Sequence, residues 1–418
     1  MNEKNVDEIR YRRLAFRLFA QEKSAAEILH RIPRSRTWLF KWKKRFEQKR
    51  WHALDSLSKA PKRPAIRYNK RVVRLVLHLR KRLQHAEVGL SGARAIRNEM
   101  RVHRLIRPVP ARSTINRWLK AAGLISGNAL KPTPPFYPTP TIGADFVFAA
   151  CDWAARYLEG GEKVFVFHTV DTHTHALAQS SSGDKTTASV CAHLLQTCAT
   201  LGVPDFLQID NDAAFTGLGK TPGGFGQFVR LALYLGIELI FIPPGDPERN
   251  ALVEGIHHLW AQSFWNKNHF ASLKAFQGKS PQFLAWYEDY APPALQGLTV
   301  KDARRGVKRR TLPPRALNHL PPDLPVTAGR LHFIRRVNER GVINLRKEDW
   351  KVSRRLAGEY VWATLDLRTE CLAIYHRRSE RAKAKVVKTH RYPIAERVER
   401  RKPQYRRRTR RVGVLKIF

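Results

Sequence analysis

Five of the eleven residues at 131–141 are prolines: Pro132, Pro134, Pro135, Pro138 and Pro140. Proline has no backbone N–H and a fixed φ, so this run enters neither a helix nor a central strand and reads as a stiff, extended linker. The chain must therefore fold in parts on either side of it. The 418-residue length agrees, at roughly 100 to 200 residues per domain.

Before the linker the apolar residues follow a helical period. Residues 8–21 place Tyr11, Leu14, Ala15, Leu18 and Phe19 on one stripe. Ser24 and Glu27 form the pattern of a capping box that opens a short helix, and Pro33 separates it from a third helix over 35–48. This is a helix-turn-helix spacing, in which Trp38, Leu39, Trp42 and Phe46 pack while Arg34, Arg36, Lys41 and Lys44 stay free to meet DNA. A Pro- and Lys-rich stretch at 60–67 leads to a second such unit. Val72, Leu75, Val76, Leu79 and Leu83 mark its first helix, residues 92–100 its second, and Ser113 is expected to cap the third. That third helix packs Ile115, Trp118, Leu119 and Ala122 and offers Arg112, Asn116, Arg117 and Lys120.

After the linker, strands and helices alternate. Residues 146–152, 164–170, 174–179, 206–210 and 237–242 read as strands, and 186–200, 224–235 and the segment after Pro247 as helices, which is an α/β unit. Residues 327–375 hold short β-like runs divided by Gly329, Gly341 and Gly358, the pattern of a small β-barrel. Residues 377–411 are almost half Lys and Arg, including Arg406, Arg407 and Arg408. Such a block reads as a solvated tail that gains order on a polyanion.

Charge narrows the function. Lys and Arg number 77 against 35 Asp and Glu, so the net charge is 77 − 35 = +42. That excess calls for a polyanionic partner, foremost double-stranded DNA. No apolar run of about 18 residues and no signal peptide is present, which predicts no membrane and a cytoplasmic, nucleoid-associated protein. Cys151, Cys191, Cys198 and Cys371 form no CxxC pair and are expected as reduced core residues.

Three acids stand where a sheet presents functional groups: Asp152 at the expected end of the first strand, Asp210 at the end of the fourth, Glu254 on the helix after the fifth. The run VPDFLQIDNDAAF resembles the second-aspartate segment of retroviral-integrase-like DDE transposases of bacterial insertion sequences. IPPGDPERNALVEGIHHLW resembles their glutamate segment, and CDWAARYLEGGEKVFVFHTVDTHTHALA is similar to their first-aspartate strand and hairpin. The intervals, 210 − 152 = 58 and 254 − 210 = 44, fit the family order. Asp212 departs from the glycine common at its place, and Gly255 from the basic residue that often follows the glutamate. The resemblance implies a multidomain protein: helix-turn-helix units at 1–59 and 68–126, a linker at 127–142 and a ribonuclease-H-like α/β catalytic core at 143–310. A small C-terminal β-barrel at 325–376 and a basic tail at 377–418 complete it. It also implies that the first and fourth strands are neighbours, that Asp152, Asp210 and Glu254 are catalytic and bind two Mg²⁺ ions with Mn²⁺ able to substitute, and that the protein is at least a dimer on DNA.

Carboxylates suit that chemistry. Phosphodiester transfer builds charge on attacking, leaving and non-bridging oxygens together, and two Mg²⁺ ions about 3.5 to 4 Å apart stabilise it while a few hard oxygen donors hold them. Among rival acids, Glu248 precedes Glu254 by six residues and would point elsewhere on a continuous helix, and Asp171 ends the second strand without a metal role in the family. A zinc site from His173, His175, His193 and Cys191 is disfavoured, because strand histidines more often pack or face solvent. His257 and His258, three and four residues after Glu254, are open between core, surface and contact with the scissile phosphate. The expected reaction is hydrolysis that frees a 3′ hydroxyl, followed by its joining to target DNA. The alternatives are a non-catalytic DNA-binding derivative or a ribonuclease-H-like nuclease.

Overall fold

The computed structural model describes residues 3–49, 51, 54, 68–125, 136–140, 142–143, 145–217, 224–307, 309–311, 320–321, 323–401 and 406–407. Two compact units divide at residue 70.

The first unit holds helices α1 (Glu3–Ala20), α2 (Ala25–Arg31) and α3 (Arg36–Lys49). The capping box is present: Ser24 N donates to Glu27 Oε2 at 2.8 Å, and Glu27 N donates to Ser24 Oγ at 3.3 Å. Ala15, Phe16, Leu18, Ile28, Ile32, Leu39 and Trp42 form its core. The buried stripe of α1 is rotated from the expected one, since Leu14 is 41% exposed while Phe16 and Arg12 turn inward. Arg12 is held there by the Leu54 carbonyl at 3.0 Å and by the Trp42 ring.

In the second unit α4 (Lys70–His85), α5 (Ala93–Val102) and α6 (Arg112–Ala121) precede the sheet. Val72, Val76, Leu79, Ile115 and Leu119 are buried as the periodicity predicts, Ile96 and Met100 of α5 are buried as well, and Ala122, expected to pack, is exposed because it lies past the end of α6. Ser113 is not the cap of α6; Ala111 occupies that position without a side-chain bond, so the helix begins two residues early. These helices are tied to the α/β part, not set apart from it. Lys267 Nζ donates to the carbonyls of Leu83 (2.8 Å) and Ala86 (3.0 Å), and Gly89 N donates to Ser263 O.

The α/β part runs β1 (Phe148–Tyr157), β2 (Lys163–Asp171), β3 (Leu177–Ser182), α7 (Thr187–Leu201), β4 (Phe206–Ile209), α8 (Ala213–Thr216), α9 (Gln227–Tyr234), β5 (Glu238–Phe241), α10 (Ala251–Ser263), α11 (Leu273–Glu288) and α12 (Val300–Arg304). Then come β6 (Arg310–Thr311), β7 (Val326–Thr327), β8 (Arg330–Arg336), β9 (Val342–Leu345), β10 (Glu348–Lys351), β11 (Tyr360–Asp366), β12 (Cys371–His376), β13 (Lys385–Arg391), β14 (Val398–Glu399) and β15 (Arg406–Arg407). The third strand begins later than expected, because residues 172–176 form the turn and His175 takes a positive φ.

One sheet carries the order β13-β12-β11-β8-β5-β4-β1-β2-β3. β1, β2 and β3 form an antiparallel meander, while β4 and β5 run parallel to β1. β1 and β4 are thus neighbours in a central mixed sheet. The expected β-barrel is not closed. β8 pairs in parallel with β5, and β11 to β13 continue the same open sheet antiparallel. The free edge of β5 would leave a row of backbone donors and acceptors unpaired, and β8 satisfies them. The expected solvated tail is also shorter, because β13 lies within it. Its Lys385, Lys388 and Arg391 make a charged edge strand that discourages further pairing. The backbone of Arg406 and Arg407 pairs with β6; Arg408 and residues 131–135 of the Pro-rich run lie outside the described residues.

Strand alternation gives the sheet two faces. Ala149, Cys151, Leu207, Ile209, Leu239, Phe241, Leu331 and Phe333 meet α7 and α9 on one. Ala150, Val164 and Val166 meet α10 and α11 on the other. On that second face, Ile240, Ile334 and Trp362 are covered by Tyr137 and Ile142 from the end of the linker. The four cysteines are unpaired and buried or half-buried, as expected. No described helix is long and apolar enough to cross a membrane.

Candidate active site

The three acids come from the second face. Phe148, Ala149 and Ala150 pair with Phe206, Leu207 and Gln208, so counting on two residues sets Asp152 beside Asp210 on adjacent parallel strands, with side chains on one side. Asp152 does not end its strand. β1 runs on to Tyr157 as an arm of the hairpin with β2, and it is β4 that stops before Asp210, opening the sheet there. Glu254 stands in the first turn of α10, the helix packed on the same face.

Asn250 fixes that helix start. Fully buried, it donates to the Cys151 carbonyl at 3.1 Å and accepts from Gln208 Nε2 at 3.1 Å, so α10 is pinned across β1 and β4. Four residues before Glu254, it shares that residue's helical side. That spacing was a legible signal that sequence reasoning passed over.

Burial pushes the Asp152 carboxyl up to about 7 against the pull of the Trp153 N–H, and the charges of Asp210 and Glu254 add to the rise. Asp210 is also raised, mainly by burial, with the Asp212 charge contributing and Lys185 opposing. One oxygen of each aspartate is tied to backbone: Asp152 accepts from Trp153 N at 2.7 Å and Asp210 from Asp212 N at 3.0 Å. So placed, no group of three His, Cys, Asp or Glu among the described residues stands ready to hold a metal ion. The donor set nevertheless fits a hard divalent cation, because mutually repelling carboxylate oxygens in a partly buried cleft are what such an ion neutralises.

Asp212 caps α8 through Ala214 N and binds Lys185 Nζ at 2.7 Å. Lys185, which sequence reasoning missed, thereby brings a cation to the acids and lies over the Trp153 ring. His168 faces Asp152 across the β1–β2 ladder, and its ring lies 5.0 Å from that of His257. Burial pushes His168 well below its usual range and His257 down to about 4, so both are neutral at pH 7. His257 is half-buried and His258 exposed. A polar residue inside the apolar run VFVFHTV was the available signal for His168.

Other candidates are committed elsewhere. His193 is held between Thr169 Oγ1 (2.8 Å) and Ser180 Oγ (2.7 Å), leaving neither ring nitrogen for zinc. Asp171 accepts from the N–H groups of His173 and Thr174 and shapes the turn. Glu248 sits on a 3₁₀ turn, not on α10, and its side chain lies outside the described residues. A buried cation supports the Asp210 loop from β8: Arg335 donates to Asn211 Oδ1 (2.8 Å) and to the Ile242 carbonyl (3.2 Å). Burial lowers Arg335 to about 10, so it stays charged at pH 7.

Of the expected DNA-contacting residues, Arg36, Lys41 and Lys44 on α3 and Arg112, Asn116, Arg117 and Lys120 on α6 are exposed. Arg34 is engaged by Glu8 (2.8 and 2.5 Å) and lies over Tyr11. The side chains of Arg406 and Arg407 lie outside the described residues.

No family model and no curated protein matches the chain. Among solved structures it is similar to the simian T-cell lymphotropic virus intasome in complex with the PP2A regulatory subunit B56 gamma. That likeness has 15% identity, 72% of this chain and 93% of the other covered, and a TM-score of 0.31. It is also similar to the HTLV-2 integrase catalytic core domain in complex with magnesium, in dimeric and trimeric forms. There the identities are 16% and 17%, with 38% of this chain and 94% and 95% of those covered, and TM-scores of 0.28.

Proposed function

We propose that this protein is a DNA transposase or integrase that hydrolyses a phosphodiester to free a 3′ hydroxyl and joins that end to target DNA. The observation that carries the reading is the in-register pair Asp152 and Asp210 with the charge of Glu254 acting on it, on one face where β4 ends. These three side chains would hold divalent ions, Mg²⁺ or Mn²⁺. When bound, such ions neutralise charge developing on the phosphate oxygens and activate the attacking hydroxyl.

The chain's other residues prepare that centre. Asn250 and Gln208 keep α10, and hence Glu254, in register with both aspartates. Arg335 and Asn211 hold the loop after β4, and Lys185 orients Asp212 beside Asp210. His168 and His257, neutral, line the site without adding charge. The exposed polar sets of α3 and α6 would read the element's terminal repeats as two helix-turn-helix units, and basic residues at 402–418 would grip phosphates without sequence preference. Holding two ends requires at least a dimer on DNA.

The test is strand joining with a labelled duplex carrying a free 3′ hydroxyl, in Mg²⁺. Asp152→Asn, Asp210→Asn and Glu254→Gln should each abolish joining while end binding persists. Wild-type joining by any one of them shows that its residue is not part of the centre.

A further inference from the structure

The row of positions that starts at Asp152 and Asp210 does not stop at the integrase-like strands. Continuing the register through β5, β8, β11 and β12 places Ile242, Ile334, Trp362 and Tyr375 after Asp210 in one line on the same face. One step of two residues beyond that line lies a groove of about 370 Å³, lined by Phe136, Pro138, Arg336, Tyr360, His376, Arg377 and Arg378 among others. At about 4.8 Å per strand, its centre on β11 is roughly 15 Å from Asp210.

The groove is short of negative charge. Among the described residues no carboxylate pairs with Arg336, Arg377 or Arg378. Arg336 Nε donates to the Gly358 carbonyl, Arg377 to the Glu380 carbonyl and Thr139 Oγ1, and Arg377 Nε is buried without a partner. The one acid lining it, Glu359, is taken by His376 at 2.6 Å. Its wall is aromatic. Phe136 is 42% exposed, and Tyr360 is fixed by Asp246 and by Tyr137, on which Arg249 at the approach to α10 also stacks.

Guanidiniums without counter-charges beside an exposed ring, in a narrow concave site, match phosphate plus an unstacked base. A duplex keeps its bases stacked and cannot offer one to Phe136. We propose that this groove binds a single DNA strand, with phosphates on Arg336, Arg377 and Arg378 and a base against Phe136. The inference rests on the proposed function only in taking DNA as the substrate.

The test measures full-length protein binding a short fluorescein-labelled oligothymidylate, and a duplex of equal length, across a salt series. Arg377→Gln with Arg378→Gln should weaken oligothymidylate binding about tenfold and flatten the salt slope by about 1.4, two phosphates at about 0.7 each. Phe136→Leu should weaken it about fivefold or more at unchanged slope and leave duplex binding alone. Arg340→Gln with Arg355→Gln removes two exposed charges outside the groove and controls for net charge. Losses equal to that control, no effect of Phe136→Leu, or equal losses on duplex would overturn the inference. Absence of joining by the wild-type protein, with these losses intact, would remove the proposed reaction alone. Joining with wild-type binding in the groove variants would remove the groove alone.

Discussion

Replacing Asp152 by Asn should stabilise the metal-free protein while destroying its activity. Asp152 is raised from the ordinary 3.8 to about 7, by burial first and then by the charges of Asp210 and Glu254. Between those values the folded protein keeps a proton that the unfolded chain has lost. The stability contributed by the raised group is therefore full below about pH 4 and is lost as pH rises through about 7. A gap of about 3 pH units at 1.36 kcal/mol each sets a ceiling of about 4 kcal/mol on the cost of ionised Asp152 above pH 7. Asn carries no charge at any pH and keeps an oxygen for the Trp153 N–H. Urea unfolding with a chelator present should show the variant more stable than wild type at pH 8, with the gain larger by about 2 to 3 kcal/mol than at pH 5. Mg²⁺ should then raise wild-type stability at pH 8 and leave the variant unchanged. A variant less stable than wild type at both pH values would show that Asp152 is not held against burial and like charge, and the reasoning would fall.

Asn250→Ala should cost about 1 to 3 kcal/mol, by removing the side-chain donor to the Cys151 carbonyl and leaving the Gln208 amide with the Arg249 carbonyl as its remaining acceptor, and should lower the joining rate more than DNA affinity; equal falls in both would count against a positioning role. Arg335→Met should cost about 3 kcal/mol in urea melts, since the Asn211, Ile242 and Asn344 oxygens lose a shared donor; an unchanged midpoint would mean that water replaces it. Arg36→Ala with Lys41→Ala, or Arg112→Ala with Arg117→Ala, should weaken binding to the terminal repeat more than to random duplex, at about 1 to 3 kcal/mol per base contact; equal losses would assign them to phosphates. Removing residues 402–418 should flatten the salt slope of non-specific binding by several units at about 0.9 per phosphate, and an unchanged slope would exclude contact with DNA.

The sequence was most legible where a residue's role is local. The capping box at Ser24 and Glu27, the apolar faces of α4 to α6, and the change of period after the prolines are each dictated by neighbours a few positions away, and the structure contains them. The equivalence of Asp152 and Asp210 was approached through resemblance, yet the length of β1 was not, because its continuation depends on the partner strand β2. Long-range pairing hid the rest. Nothing near residues 330–336 says that they run beside β5, so the continuation of the sheet read as a separate barrel, and β13 read as tail because an edge strand rich in Lys and Arg has the composition of a solvated block. Arg335 was invisible as a site residue for the same reason, since its partner Asn211 lies 124 positions away, whereas His168 showed only as a polar residue inside an apolar run.

The central claim is that Asp152, Asp210 and Glu254 together hold divalent metal, and Mn²⁺ titration followed by electron paramagnetic resonance tests it most directly. Full-length wild-type protein should bind Mn²⁺ that Mg²⁺ displaces, and Asp152→Asn, Asp210→Asn and Glu254→Gln should each lose that binding while remaining folded. Wild-type Mn²⁺ binding by the three variants would place the metal elsewhere and contradict the account.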